Sequence, residues 1–125
     1  MGRIVLAVVG ILYLILGMWC AIAPTKTSQF VGFNLMPGGG QSEYFTVYGG
    51  FEVALGIILL VPFLKPETTA TILLVGLILH ATLVVFRSIS LVLYSGIPGS
   101  TWGLAAAEWV LLIAFAAAWW NHTEA

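Results

Sequence analysis

Charge is what this chain has least of. Only 7% of its 125 residues are Asp, Glu, Lys or Arg, and none is aspartate, where a soluble domain carries about 25%. There is no basic run, and the formal net charge is −1, which excludes nucleic acid as a partner and an electrostatic hold on lipid headgroups. Cys20 is the one cysteine, so an internal disulfide and a thiolate metal cage are both excluded. Gly-x-Gly-x-x-Gly, the phosphate loop, Gly-x-Ser-x-Gly and His-Glu-x-x-His are missing as well, so no familiar catalytic constellation is present and enzymatic function is disfavoured. A paired-carboxylate hydrolase built on Glu52 and Glu108 is disfavoured too, since Arg87 between them would hold both ionised.

What remains is apolar: 61% of residues, with a mean hydropathy of +1.09. Such a chain cannot cover itself with polar surface, so much of its exterior must face lipid. A bilayer core of about 30 Å needs about 20 helical residues, and four stretches qualify, near 4–23, 45–64, 69–94 and 101–120. They end or begin at Pro24, Pro62-Lys65-Pro66, Thr68-Thr69, Ser95-Gly96-Ile97-Pro98 and Ser100-Thr101, which are helix punctuation. The segments are continuously apolar and do not alternate as membrane strands do. The expected fold is therefore all-α: a single-domain (1–125) integral membrane four-helix bundle running up-down-up-down. Arg3, the apolar run and Ala21-Ile22-Ala23 resemble a cleavable signal peptide, but Pro24 just after the cut would hinder a protease. We expect a retained first helix.

Short connections make helices two and three, and three and four, antiparallel neighbours. The first connection, 24–44, is long and holds Phe30, Val31, Phe33, Leu35 and Met36 before Pro37-Gly38-Gly39-Gly40; an interfacial segment or lid and a plain tether both fit. Arg3 and Lys65 lie on one side and Lys26 on the other, so the positive-inside rule puts both termini in the cytoplasm. On that side Asn121-His122-Thr123 is no glycosylation site.

Three charges fall inside the spans: Glu52, Arg87 and Glu108. Each costs roughly 2.5–3.5 kcal/mol at membrane depth, so each is expected to face inward and pair. Counted along the helices, all three sit about 10 Å below the same end of the bundle, which predicts a Glu–Arg–Glu layer. Helical spacing adds Tyr48 beside Glu52, and His80 and Ser90 on the stripe of Gly76 and Arg87; Gly10, Tyr13, Gly17 and Cys20 form a similar stripe on helix one. The layer can serve as a register pin, as a proton or cation site, or as the seat of an amphiphile or anionic headgroup. His80 reads as a core histidine bonded to a neighbouring helix, because no partner has ligand-like spacing for metal or haem. No cofactor is expected.

Glu43 followed by Tyr48-Gly49-Gly50-Phe51-x-x-x-Leu55-Gly56, then Phe86-Arg87-Ser88-Ile89-Ser90, Gly96-x-Pro98 and Glu108, resembles the signature of small bacterial four-helix membrane proteins of unknown function, similar to the DoxX-like group. Members often carry an arginine just before Tyr-Gly-Gly, where this chain has Phe45, Thr46 and Val47; Glu43 is thus left without a near partner. The resemblance implies a bacterial inner-membrane bundle and no particular activity. With so small a bundle, a homo-oligomer or a place in a larger membrane complex is expected. The residues leave two functions open: binding of a partner protein or amphiphile around the charged layer, or proton- or cation-coupled transport as an oligomer.

Overall fold

A computed structural model describes residues 1–124. It contains five helices: α1 (Gly2–Ile22), α2 (Pro24–Phe30), α3 (Gly39–Phe63), α4 (Pro66–Leu93) and α5 (Gly99–Thr123). No strand occurs among the described residues. All but α2 are long and apolar enough to cross a membrane, and large apolar side chains such as Ile4, Val8, Ile15, Phe51, Val85, Phe86, Val110 and Ile113 point outward. Four such helices with apolar outer faces suit a lipid surrounding, so the chain is a multi-pass membrane protein.

Cross-helix contacts define the topology. Gly10 meets Gly56 and Leu60 while Gly17 meets Gly49 and Val53, so α1 and α3 run antiparallel. Arg87 bonds Glu108 and Gly76 faces Phe115, so α4 and α5 do too. Gly2 abuts Leu73 and Tyr13 reaches His80, which makes α1 and α4 parallel and completes the up-down-up-down order. The α1–α3 and α4–α5 pairs pack along their lengths; α3 and α4, although joined by a short turn, touch over much less.

Glycine explains the first pair. A Cβ on Gly17 would lie 2.9 Å from the Gly49 carbonyl oxygen and the Val53 nitrogen, and one on Gly56 would lie 2.8 Å from the Gly10 carbonyl oxygen. Backbone cannot yield as a side chain can, so this seam requires residues without a side chain. Close backbone approach is how helices associate in lipid, where no hydrophobic force drives them together. In the second pair Gly76 supplies a hollow instead, and the Phe115 ring fills it.

The dry core lies at the end of the bundle that carries the chain termini. Leu6, Val9, Leu59, Leu73, Phe115 and Ala118 are buried together there. The opposite end is roofed by the first connection rather than filled.

The helix boundaries shift by up to six residues from the sequence reading, α4 starting at Pro66 and α5 ending at Thr123, and two of the shifts have a local cause. Helix α3 begins at Gly39, not at 45, because Gln41 Oε1 accepts a hydrogen bond from the Gly38 nitrogen at 3.1 Å and starts the helix early. Ser100 does not cap α5; Pro98 occupies that position, and the Ser100 hydroxyl donates to the Phe30 carbonyl oxygen at 2.6 Å.

Candidate functional site

The roofed end forms a partly open cavity of about 300 Å³ to which α1, α2, α3, α4 and α5 all contribute. Helix α1 supplies Leu16, Trp19 and Cys20, and the first connection supplies Thr27, Phe30, Val31 and Phe33. The floor carries Glu52 from α3, Arg87 from α4 and Glu108 from α5, all three half-buried.

The roof is a built structure. After α1 ends, α2 turns back, with Pro24 at its first position where a missing N–H costs nothing. Buried Thr27 donates to the Ala23 carbonyl at 2.8 Å and accepts from the Tyr44 hydroxyl at 3.0 Å. Tyr44 stacks on Tyr48 (centroids 4.6 Å apart, planes at 12°), and Phe33 stands edge-on to both. Residues 24–44 therefore pack over this end of the bundle, with Thr27, Phe30, Val31, Phe33 and Tyr44 lining the cavity.

Helix α3 departs from α-helical hydrogen bonding over Phe45–Phe51, where it forms a π-helix. This stretch contains Gly49-Gly50 and ends one residue before Glu52. π turns inside helices occur frequently at functional sites, and here the wide turn carries Tyr48 on the cavity wall while Gly49 is pressed against α1.

The expected Glu–Arg–Glu layer is resolved into a pair and a lone carboxylate. Arg87 donates from Nε to Glu108 Oε2 at 3.0 Å and from Nη2 to Glu108 Oε1 at 2.9 Å. This fork-to-fork arrangement is the strongest form of the contact. Glu52 lines the same cavity but makes no ion pair or hydrogen bond among the described residues. The cause lies in the packing: α3 is drawn to α1 by the glycine seam, whereas Arg87 rides on α4 against α5.

The other residues singled out in sequence take separate places. Tyr48 is on the cavity wall. Ser90 is outside the lining, because its hydroxyl donates to the Arg87 carbonyl of its own helix at 2.8 Å. His80 is also outside the lining and fully buried, stacked on Phe115 at 4.7 Å. Its Nδ1 is 2.7 Å from the Gly76 carbonyl oxygen and its Nε2 is 3.3 Å from the Tyr13 hydroxyl. A carbonyl only accepts, so Nδ1 carries the proton and Nε2 accepts from Tyr13. Both ring nitrogens are thereby occupied within the core, and no cluster of metal-ligating side chains occurs among the described residues.

Sequence reasoning missed Trp19, Thr27, Tyr44, Thr101 and Leu104 as cavity residues. Only Tyr44 left a signal, one turn before Tyr48. Comparison with protein-family models, with curated proteins and with solved structures finds no match to this chain.

Proposed function

We propose that this chain is a multi-pass inner-membrane protein that holds a small amphiphilic molecule in the roofed cavity and carries out no chemistry on it. The observation that supports this most is the cavity itself: apolar and aromatic walls meeting a charged floor at one end of a bundle whose other end is packed dry. Ligand sites are of this kind, mostly apolar with a few placed polar groups. In this reading the Arg87–Glu108 pair shapes and anchors the floor, and Glu52 faces the ligand. The resemblance to DoxX-like four-helix proteins, cytoplasmic termini and assembly into an oligomer or a larger complex belong to the same proposal.

Native mass spectrometry of the protein extracted in a mild nonionic detergent tests it. A stoichiometric small amphiphile is expected on the wild-type chain and absent from a Tyr48→Trp variant, whose larger ring reduces the cavity. A protein stripped of ligand that takes up no amphiphile on titration would refute the reading.

The lone Glu52 supports one alternative, a proton- or cation-coupled transporter acting as an oligomer. Ion flux into liposomes that disappears in Glu52→Gln would favour it over simple binding.

A further inference from the structure

We infer that the cavity selects a positively charged headgroup, and that Glu52 is its receptor. This rests on the amphiphile-binding reading above and assigns the chemical class of the ligand.

Charge bookkeeping on the lining gives the sign. Arg87 is the only basic residue there, and two of its donors are spent on both oxygens of Glu108, so that pair is electrically neutral. Glu52 is the remaining acidic side chain of the lining, and no basic side chain there is left to offset it. Lys26, the nearest basic residue along the chain of the roof, is exposed and not part of the lining. An anionic head entering this space would meet the Glu52 carboxyl group and a guanidinium whose charge Glu108 already balances. A cationic head meets an unpaired carboxylate.

The walls point the same way. Trp19, Phe30, Phe33, Tyr44 and Tyr48 all line the cavity, and the faces of aromatic rings attract cations, most strongly where water is excluded. Tyr48 lies about one helical turn before Glu52 on α3 and is stacked on Tyr44, so the carboxyl group and the aromatic wall border the same cavity. Size bounds the rest of the ligand: a cavity of about 150 Å³ takes a benzene, so one of about 300 Å³ takes a ring-sized apolar body and a compact ammonium.

The test is a matched series that differs only in the head: phenylpropyl-trimethylammonium, phenylpropanol and phenylpropyl sulfonate. Binding is measured by equilibrium dialysis to the full chain in a nonionic detergent, so that no amine headgroup competes. Wild type is expected to bind the ammonium about tenfold or more tightly than the alcohol, with the sulfonate weakest. Glu52→Gln is expected to erase that preference while leaving the alcohol's affinity within about twofold. Equal binding of all three heads, or a preference for the sulfonate, overturns the cationic assignment and leaves the amphiphile reading standing. Binding of none overturns both. If Glu52→Gln does not fold, the order of the three heads on wild type decides by itself.

Discussion

Arg87 and Glu108, 21 positions apart on antiparallel helices, face each other squarely enough for both carboxylate oxygens to be gripped at 3.0 and 2.9 Å. Their side chains are 31% and 15% exposed, so the pair is sheltered without being sealed. It ties α4 to α5 at the level of the cavity floor, about two to three helical turns from the Gly76–Phe115 contact that ties the same helices in the core. Breaking either side leaves a charge without its counterpart. Arg87→Gln and Glu108→Gln are each expected to lower stability by about 2 kcal/mol, less than the roughly 3–5 kcal/mol of a sealed pair. Replacing both with Arg87→Met and Glu108→Leu should recover most of the loss. Equilibrium unfolding in mixed micelles gives the cycle; additive effects would show that the two do not interact.

Gly76 is filled from outside by Phe115, so a methyl group there has nowhere to go. Phe115 cannot swing aside because it is fully buried and stacked on His80. Gly76→Ala should therefore cost about 1–3 kcal/mol, as overpacking does, even though alanine is the better helix former. A second change, Phe115→Leu, should relieve it. A Gly76→Ala protein as stable as wild type in thermal melts contradicts this packing.

The glycine seam yields a paired contrast. Gly17→Ala drives a Cβ against backbone atoms of α3, whereas Gly103 on α5 has no heavy atom within 4 Å of where its Cβ would be. Gly17→Ala is expected to separate α1 from α3 and lower the melting temperature. Gly103→Ala should be neutral or stabilise by up to about 1 kcal/mol. Equal effects of the two would mean that close approach does not hold α1 to α3.

Because Nδ1 of His80 must donate to the Gly76 carbonyl, the imidazole is expected as the Nδ1–H tautomer, with Nε2 bonded to the Tyr13 hydroxyl. Nitrogen chemical shifts of the labelled histidine report this directly. In Tyr13→Phe the Nε2 shift should move toward that of a free acceptor while Nδ1 stays put. A shift typical of an Nε2–H ring would require another arrangement of the core.

The roof is pinned to α5 by one hydrogen bond, from the Ser100 hydroxyl to the Phe30 carbonyl at 2.6 Å, and Cys20 lies beneath it as a free thiol. Losing a bond worth about 1 kcal/mol should raise the open population about fivefold. Alkylation of Cys20 by a small uncharged maleimide is expected to accelerate by about that factor in Ser100→Ala. An unchanged rate would mean that the roof does not control entry.

How much was legible in the sequence follows from the range of each cause. Hydropathy over about 20 residues is a local property, so the four spans, the all-α class and the inward stripes of α1 and α4 could be read residue by residue. Helical rise and short connections were enough to bring Glu52, Arg87 and Glu108 toward one level, and the absence of ligand-like partners was enough to make His80 a core residue. Which carboxylate Arg87 takes depends on which helices touch. That was decided by the Gly10–Gly56 and Gly17–Gly49 seam, which draws α3 to α1 and leaves α4 to close on α5. The roof was likewise a tertiary outcome: the positions of Thr27, Phe33, Tyr44 and Ser100 in the sequence do not say which of them meet, and their contacts link α2, the connection that follows it, and the starts of α3 and α5. Span and depth come from local composition and helical geometry, whereas pairing and enclosure come from steric fit between segments far apart in the chain.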